Sequence, residues 1–256
     1  MSPEGFSGQG FIVTGGTRGL GRAIVLAAAE RGAHVVFCAR PGAEEMAAKV
    51  IADSGAAGRV LFVAANASIA EEVDRLFDAA MDFLPALTVV VNNAAIVLNK
   101  LLIETSLEEW NEVAAVNLRG PFLVSQRAVE EFILGGDGGR IINVSSIAAN
   151  GSTGQAAYAA SKSGLIALTR SVAKEYGKRG ILCNAVVPGY LESDMTNSFS
   201  AEGRAVREQL SPMRRFGRLA EVVEAVFFLA SGEASFVNGD ALYVSGTVRD
   251  VPDLRS

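Results

Sequence analysis

Two side chains with usable protons stand one helical turn apart in the stretch GQAAYAASKSG: Tyr158 and Lys162. Residues four apart share one face of an α-helix. A free phenol titrates near about 10 and is a poor proton donor or acceptor at neutral pH, but a nearby ammonium favours the phenolate and lowers that value. The spacing therefore predicts a tuned acid–base pair. The plainer alternative is a solvated pair on a helix surface, and the rest of the chain has to separate the two.

Other proton-transfer chemistry is narrowed by simple count. The chain has one histidine, His34, which excludes most His-based hydrolytic and metal sites. Cys38 and Cys183 lie in the apolar runs HVVFCA and ILCNAVV, without zinc-type spacing and without a disulfide framework.

A second constellation is VTGGTRGLGRA, where Gly15, Gly19 and Gly21 fall between an apolar run and a helical pattern. A turn of this kind lets backbone approach a ligand and aims a helix N-terminus at an anion, as in dinucleotide sites. An acid about 20 residues later would hold the ribose 2′-hydroxyl of NAD. Here the next apolar run ends in Cys38-Ala39-Arg40, with no acid. Arg40, and Arg18 inside the glycine turn, suit a ribose phosphate instead, so the expectation is NADPH over NADH.

Positioning these groups requires a sheet. Apolar runs at 10–15, 34–39, 59–65, 87–93, 140–146, 181–189 and 240–246 are bare of internal charge, as strands buried on both faces are. Helical patterns alternate with them, including one long helix from about 106 to 133. The alternation predicts a single-domain, doubly wound, parallel seven-stranded sheet of Rossmann type over residues 1–256, with helices on both faces. A polar excursion at about 190–215 interrupts the rhythm and is expected to select substrate, together with Asn150 to Gln155. The net charge of −5 argues against a nucleic-acid partner, and no apolar run reaches the ~20 residues of a membrane helix. No signal peptide is evident at the N-terminus, and a cytoplasmic setting is expected.

Taken together and in this order, the motifs resemble the short-chain dehydrogenase/reductase family over nearly the whole chain. The family's T-G-x-x-x-G-x-G stands as Thr14 to Gly21, its N-N-A-G as Asn92-Asn93-Ala94-Ala95, its helix asparagine as Asn117, and its Y-x-x-x-K as Tyr158 to Lys162. Its serine thirteen residues before the tyrosine matches Ser145, and its P-G after the sixth strand is Pro188-Gly189. The resemblance implies that Tyr158 gives a proton to a ketone while NADPH gives hydride. It further implies that Ser145 polarises the carbonyl, that Lys162 tunes the phenol and binds ribose, and that Asn117 holds a relay water. It places Thr14, Gly15, Thr17, Arg18, Gly19, Leu20, Gly21, Arg40, Asn66, Ala67, Asn93, Ala94, Ala95, Pro188, Gly189, Leu191 and Ser193 around the cofactor, with Tyr158 and Lys162 also touching it.

Three positions depart from the family pattern: Asn66 replaces an aspartate, Ala95 a glycine, and Ser193 a threonine. Asn66 is expected to keep its adenine contact through its side-chain carbonyl. In appearance the chain is nearest to 3-oxoacyl-[acyl-carrier-protein] reductases, yet its segment EEFILGGDGGR is acidic where theirs tends to be basic. The expectation is a ketoreductase of a biosynthetic pathway. The alternatives are a carrier-protein reductase of fatty acid synthesis and a non-catalytic NADP-binding sensor. The substrate is a ketone or acyl thioester, and the expected assembly, drawn partly from Val113, Val116, Phe122 and Val129, is a homotetramer.

Overall fold

The seven apolar runs become seven strands, each within two residues of its expected bounds: β1 Gly10–Thr14, β2 His34–Ala39, β3 Val60–Ala64, β4 Leu87–Asn92, β5 Gly139–Val144, β6 Ile181–Pro188 and β7 Ala241–Val244. The computed structural model describes residues 5–192 and 200–247. All neighbouring strands pair in parallel, in the order β3-β2-β1-β4-β5-β6-β7. The chain winds outward from β1 to β3 and then crosses back to β4. This puts the topological switch point between β1 and β4, where ligands of such sheets bind.

The helices are α1 Gly19–Glu30, α2 Glu44–Asp53, α3 Ala70–Phe83, α4 Leu107–Ala114, α5 Gly120–Gly135, α6 Ala156–Tyr176, α7 Ala201–Leu210 and α8 Leu219–Ala230. Strand alternation divides the core into two layers. Phe11, Val13, Val35, Phe37, Val89 and Val91 pack with α1, α2 and α8. Ile12, Val36, Cys38 and Val90 face α3, α5 and α6 on the other side. Strands without an exposed face need apolar residues at every position, and that is why their sequences show no polar alternation.

The long helix expected over 106–133 is interrupted. A π turn at Ala115–Arg119 separates α4 from α5, and the Gly120 N–H reaches back five residues to the Ala115 carbonyl. Pro121 supplies the reason. It has no N–H for the Asn117 carbonyl four residues earlier, and its ring crowds that carbonyl in a regular α-ladder. Of the apolar residues taken as surplus to this helix, Val113 and Val129 are core and only Phe122 is exposed.

Both cysteines are buried free thiols, pushed up to about 12 by burial. Among the described residues no helix is long and apolar enough to cross a membrane, and no group of His, Cys, Asp or Glu side chains could hold a metal.

Candidate active site

The glycine turn and the segment after β4 are bolted together across the switch point. Thr14 Oγ1 accepts from the Asn93 and Ala94 N–H groups at 3.0 and 3.1 Å. Asn93 Nδ2 donates to the carbonyls of Thr14 and Gly15 at 3.0 and 3.1 Å. Gly15 in turn donates to the Cys38 carbonyl at 2.8 Å. Thr14 and Asn93 thus shape the turn through protein contacts of their own.

Two glycines there have separate reasons. A Cβ on Gly21 would lie 2.1 Å from the Gly15 carbonyl oxygen, so α1 could not seat on the turn. Gly19 has φ +53, and a Cβ there would meet nothing within 4 Å, which leaves its approach open to a ligand. The N-terminus of α1 has neither a side-chain cap nor an acid in its first turn. Helices α5 and α6 also lack a first-turn acid, whereas α2, α3, α4, α7 and α8 all carry one. A positive helix end left without its own anion, beside open glycine backbone, fits a pyrophosphate.

Around this turn Thr17 is buried, Leu20 and Ala94 are half-buried, and Arg18 and Ala95 are exposed. Arg40 is exposed at the end of β2, its guanidinium 3.8 Å from the Glu112 carboxylate. At the end of β3 Asn66 differs from expectation. Its Oδ1 accepts from both the N–H and the hydroxyl of Ser68, at 3.1 and 2.9 Å, so the carbonyl proposed for adenine is spent on a local turn. Ala67, next in sequence, is half-buried, its carbonyl oxygen 3.1 Å from where a Cβ on Gly120 would lie.

After β6, Gly189 bonds back to the Val244 carbonyl at 3.1 Å. Leu191 pairs with Gly217 in an isolated parallel bridge that closes the base of the excursion. Pro188 ends β6, and Ser193 lies outside the described residues. Of the expected substrate-selecting stretch, Asn150 bonds the Tyr243 hydroxyl at 3.4 Å. It thereby faces a groove of about 780 Å³ between α6 and β7, also lined by Ser163, Arg170 and Asp240.

The opening pair sits at the start of α6, against the end of β5. Lys162 is 2% exposed, and its Nζ donates to the Val144 carbonyl at 2.7 Å. It lies 5.8 Å from the centroid of the Tyr158 ring. Burial pushes the Lys162 ammonium down to about 8. The phenol does not follow the expectation of a lowered pKa. Burial pushes it up, and a hydrogen bond from Ser146 only partly opposes this. Helical spacing puts the two side chains on one face, but the ammonium is drawn to a backbone carbonyl and flanks the ring.

The serine expectation also shifts by one residue. Ser145 is 3% exposed, and its hydroxyl donates to the Lys162 carbonyl at 3.1 Å, tying β5 to α6. Ser146, half-buried, accepts from the Ala148 N–H at 3.2 Å and is the serine whose side chain holds the Tyr158 phenol down against burial. Successive residues leaving a strand point to opposite sides, so a count back from the tyrosine cannot choose between the two serines of NVSS.

Asn117 is fully buried in the π turn. Its Oδ1 accepts from the Ile96 N–H and its Nδ2 donates to the Ile96 carbonyl, both at 2.9 Å. The carboxamide therefore clamps the segment after β4. His34 opens β2, at the opposite end of the sheet from these groups.

A family model described as "Enoyl-(Acyl carrier protein) reductase" matches residues 15–248. A 3-oxoacyl-[acyl-carrier-protein] reductase FabG of Aquifex aeolicus is 37% identical over 242 residues, covering 93% of this chain and 96% of the relative. A 3-oxoacyl-[acyl-carrier-protein] reductase of Synechocystis sp. is 39% identical over 240 residues, covering 92% of this chain and 94% of the relative. The FabG of Staphylococcus aureus strain N315 is 39% identical over 237 residues, at 92% and 96% coverage.

Proposed function

The chain belongs to the short-chain dehydrogenase/reductase family, and from that membership we propose that it is an NADPH-dependent reductase of ketones, with Tyr158 as proton donor. The observation that carries this reading is the buried Lys162 at the carboxyl end of β5, its Nζ held by the Val144 carbonyl at 2.7 Å and lying 5.8 Å from the centroid of the Tyr158 ring. The glycine turn, the uncapped N-terminus of α1, Arg18 and Arg40 would hold a nicotinamide dinucleotide phosphate, whose contribution is hydride. The chain's own part is the proton. Burial keeps the Tyr158 phenol protonated through the neutral range, which suits a donor in the direction of reduction. Ser146, whose hydroxyl accepts from the Ala148 N–H, can also donate its proton to the carbonyl oxygen as negative charge develops on it. Lys162, cationic below about 8, favours the phenolate left behind.

For the substrate, we favour a free ketone or small acyl thioester of a biosynthetic pathway over an acyl group on an acidic carrier protein. Arg127 on α5 is ringed by Asp74, Asp78, Glu130 and Glu131 at 3.6, 3.8, 3.5 and 2.5 Å. With Asp137 beyond them, this face would repel an acidic partner. The carrier-bound reading is favoured instead by the printed names of the relatives. Exposed Leu102, Ile103, Leu107, Leu134 and Phe236 support association of copies into a homotetramer, and the buried free thiols support a cytoplasmic setting.

The test is oxidation of NADPH and NADH against a panel of ketones, acetoacetyl thioesters and acetoacetyl carrier protein. Turnover faster with NADPH, on free ketones or small thioesters, is expected. Faster turnover of the carrier-bound form would reverse the substrate choice. A tight NADPH complex inert to the whole panel would point to a sensor. Light scattering of the same preparation should give four chains, and a monomer would refute the assembly.

A further inference from the structure

Ser161 fills an unspecified position of the stretch from Tyr158 to Lys162, yet it is 3% exposed at the centre of the site. Its hydroxyl donates to the Tyr158 carbonyl at 2.7 Å and accepts from Asn117 Nδ2 at 3.2 Å. The first bond uses its only proton, so Oγ can meet Asn117 only as an acceptor. That polarity matches the orientation that the Ile96 N–H and carbonyl impose on the carboxamide. The NH2 edge must face Ser161 and the Ile96 carbonyl, which leaves Oδ1 for the Ile96 N–H.

We infer that Ser161 is a positioning residue for the reduction: its hydroxyl locks the Asn117 carboxamide to the Tyr158 turn and so holds the segment after β4 in register with the proton donor. This rests on the reading of Tyr158 as that donor. Two elements meet at this oxygen, the first turn of α6 and the π turn, and Asn117 carries the link on to the chain at Ile96. A reacting group displaced by about an ångström loses much of its effectiveness, so a bond that fixes their relative position acts on turnover.

Ser161→Ala tests the role with little risk to the fold, because alanine favours helix and Asn117 keeps both bonds to Ile96. The expected result is a kcat about tenfold lower, on the scale of one lost hydrogen bond, with NADPH affinity by fluorescence and Tm near wild type. The double variant Asn117→Ala/Ser161→Ala should turn over no more slowly than Asn117→Ala alone, since the link between Ser161 and the segment after β4 is already gone. If Asn117→Ala does not fold, the pH profile of kcat in Ser161→Ala decides: a donor held loosely moves the limb set by Tyr158. Wild-type turnover in Ser161→Ala, additive losses, or an unmoved limb would each overturn the inference. If the wild-type protein binds NADPH and reduces nothing on the panel, the proposed function falls, and the positioning role falls with it.

Discussion

The start of α6 and the excursion between β6 and α8 are built in opposite ways. In α6, Ala157, Ala159, Ser161 and Lys162 are all buried, and the polar atoms of the last two are committed to backbone or to Asn117. In the excursion, α7 has no buried residue at all. It is held by charge and by aromatic faces. Arg204 reaches Glu192 and Glu208 at 3.4 and 2.9 Å, and its guanidinium lies 4.6 Å over the Phe216 ring, itself stacked on Tyr190 at 5.7 Å. Low-dielectric contacts are stiff and intolerant of loss, whereas exposed ion pairs are individually weak and replaceable. The proposed chemistry sits in the first kind of structure, and the contacts proposed for choosing substrate sit in the second.

The largest test of this contrast removes one oxygen from the stiff region. Tyr158→Phe should retain NADPH binding by fluorescence while kcat falls roughly 10²–10⁴-fold, the range of general acid catalysis. Near-normal turnover would remove the mechanism.

A second test reads the cost of the buried amine. Burial lowers the Lys162 pKa from 10.5 to about 8, so the unfolded chain binds more protons between those values. Stability of the wild-type protein should therefore rise with pH across that window. Lys162→Met should be inactive yet more stable at pH 7. The gain is about 3 kcal/mol from the shift, less about 1 kcal/mol for the lost bond to Val144. Urea denaturation at pH 7 and at pH 10 measures both, and the gap between the proteins should narrow at the higher pH. A gap that widens would mean that Lys162 is well solvated.

The smallest effect belongs to the ion pair that joins the excursion to α8. Arg215 and the Arg218 N–H hold the Glu221 carboxylate down to about 2. For a depressed carboxylate the stabilisation is present above the ordinary range near pH 4.5 and disappears as pH falls toward 2. Glu221→Gln should cost about 1 kcal/mol or less at pH 7, since the pair is partly exposed. The difference in Tm should vanish at low pH, with turnover of small ketones little changed. A loss of turnover comparable to that of Tyr158→Phe would erase the distinction between the two regions.

The fold was legible because each strand is apolar throughout and each helix keeps its period, so layers and order followed from alternation alone. Within the candidate site, placement was legible where a motif fixes a backbone position, as at Gly19, Gly21, Tyr158 and Lys162. It was not legible where the outcome depends on which way a side chain turns. Ser145 and Ser146 differ only in the side of the strand they leave from. Asn66 offers the right carbonyl, but Ser68, two residues on, takes it first. The phenol pKa followed burial, which no spacing reports. The π turn had a visible cause in Pro121, but a single proline beside a glycine reads equally well as a helix start.

That proline touches none of the groups discussed for catalysis. What it contributes is a missing hydrogen, and the missing hydrogen leaves the helix wound one residue wide at Asn117. An extra residue in a helix rotates everything beyond it by about 100° relative to everything before it. The angular phase between α4, which packs against α6, and α5, which packs against the sheet, is thus set by an atom that is not there.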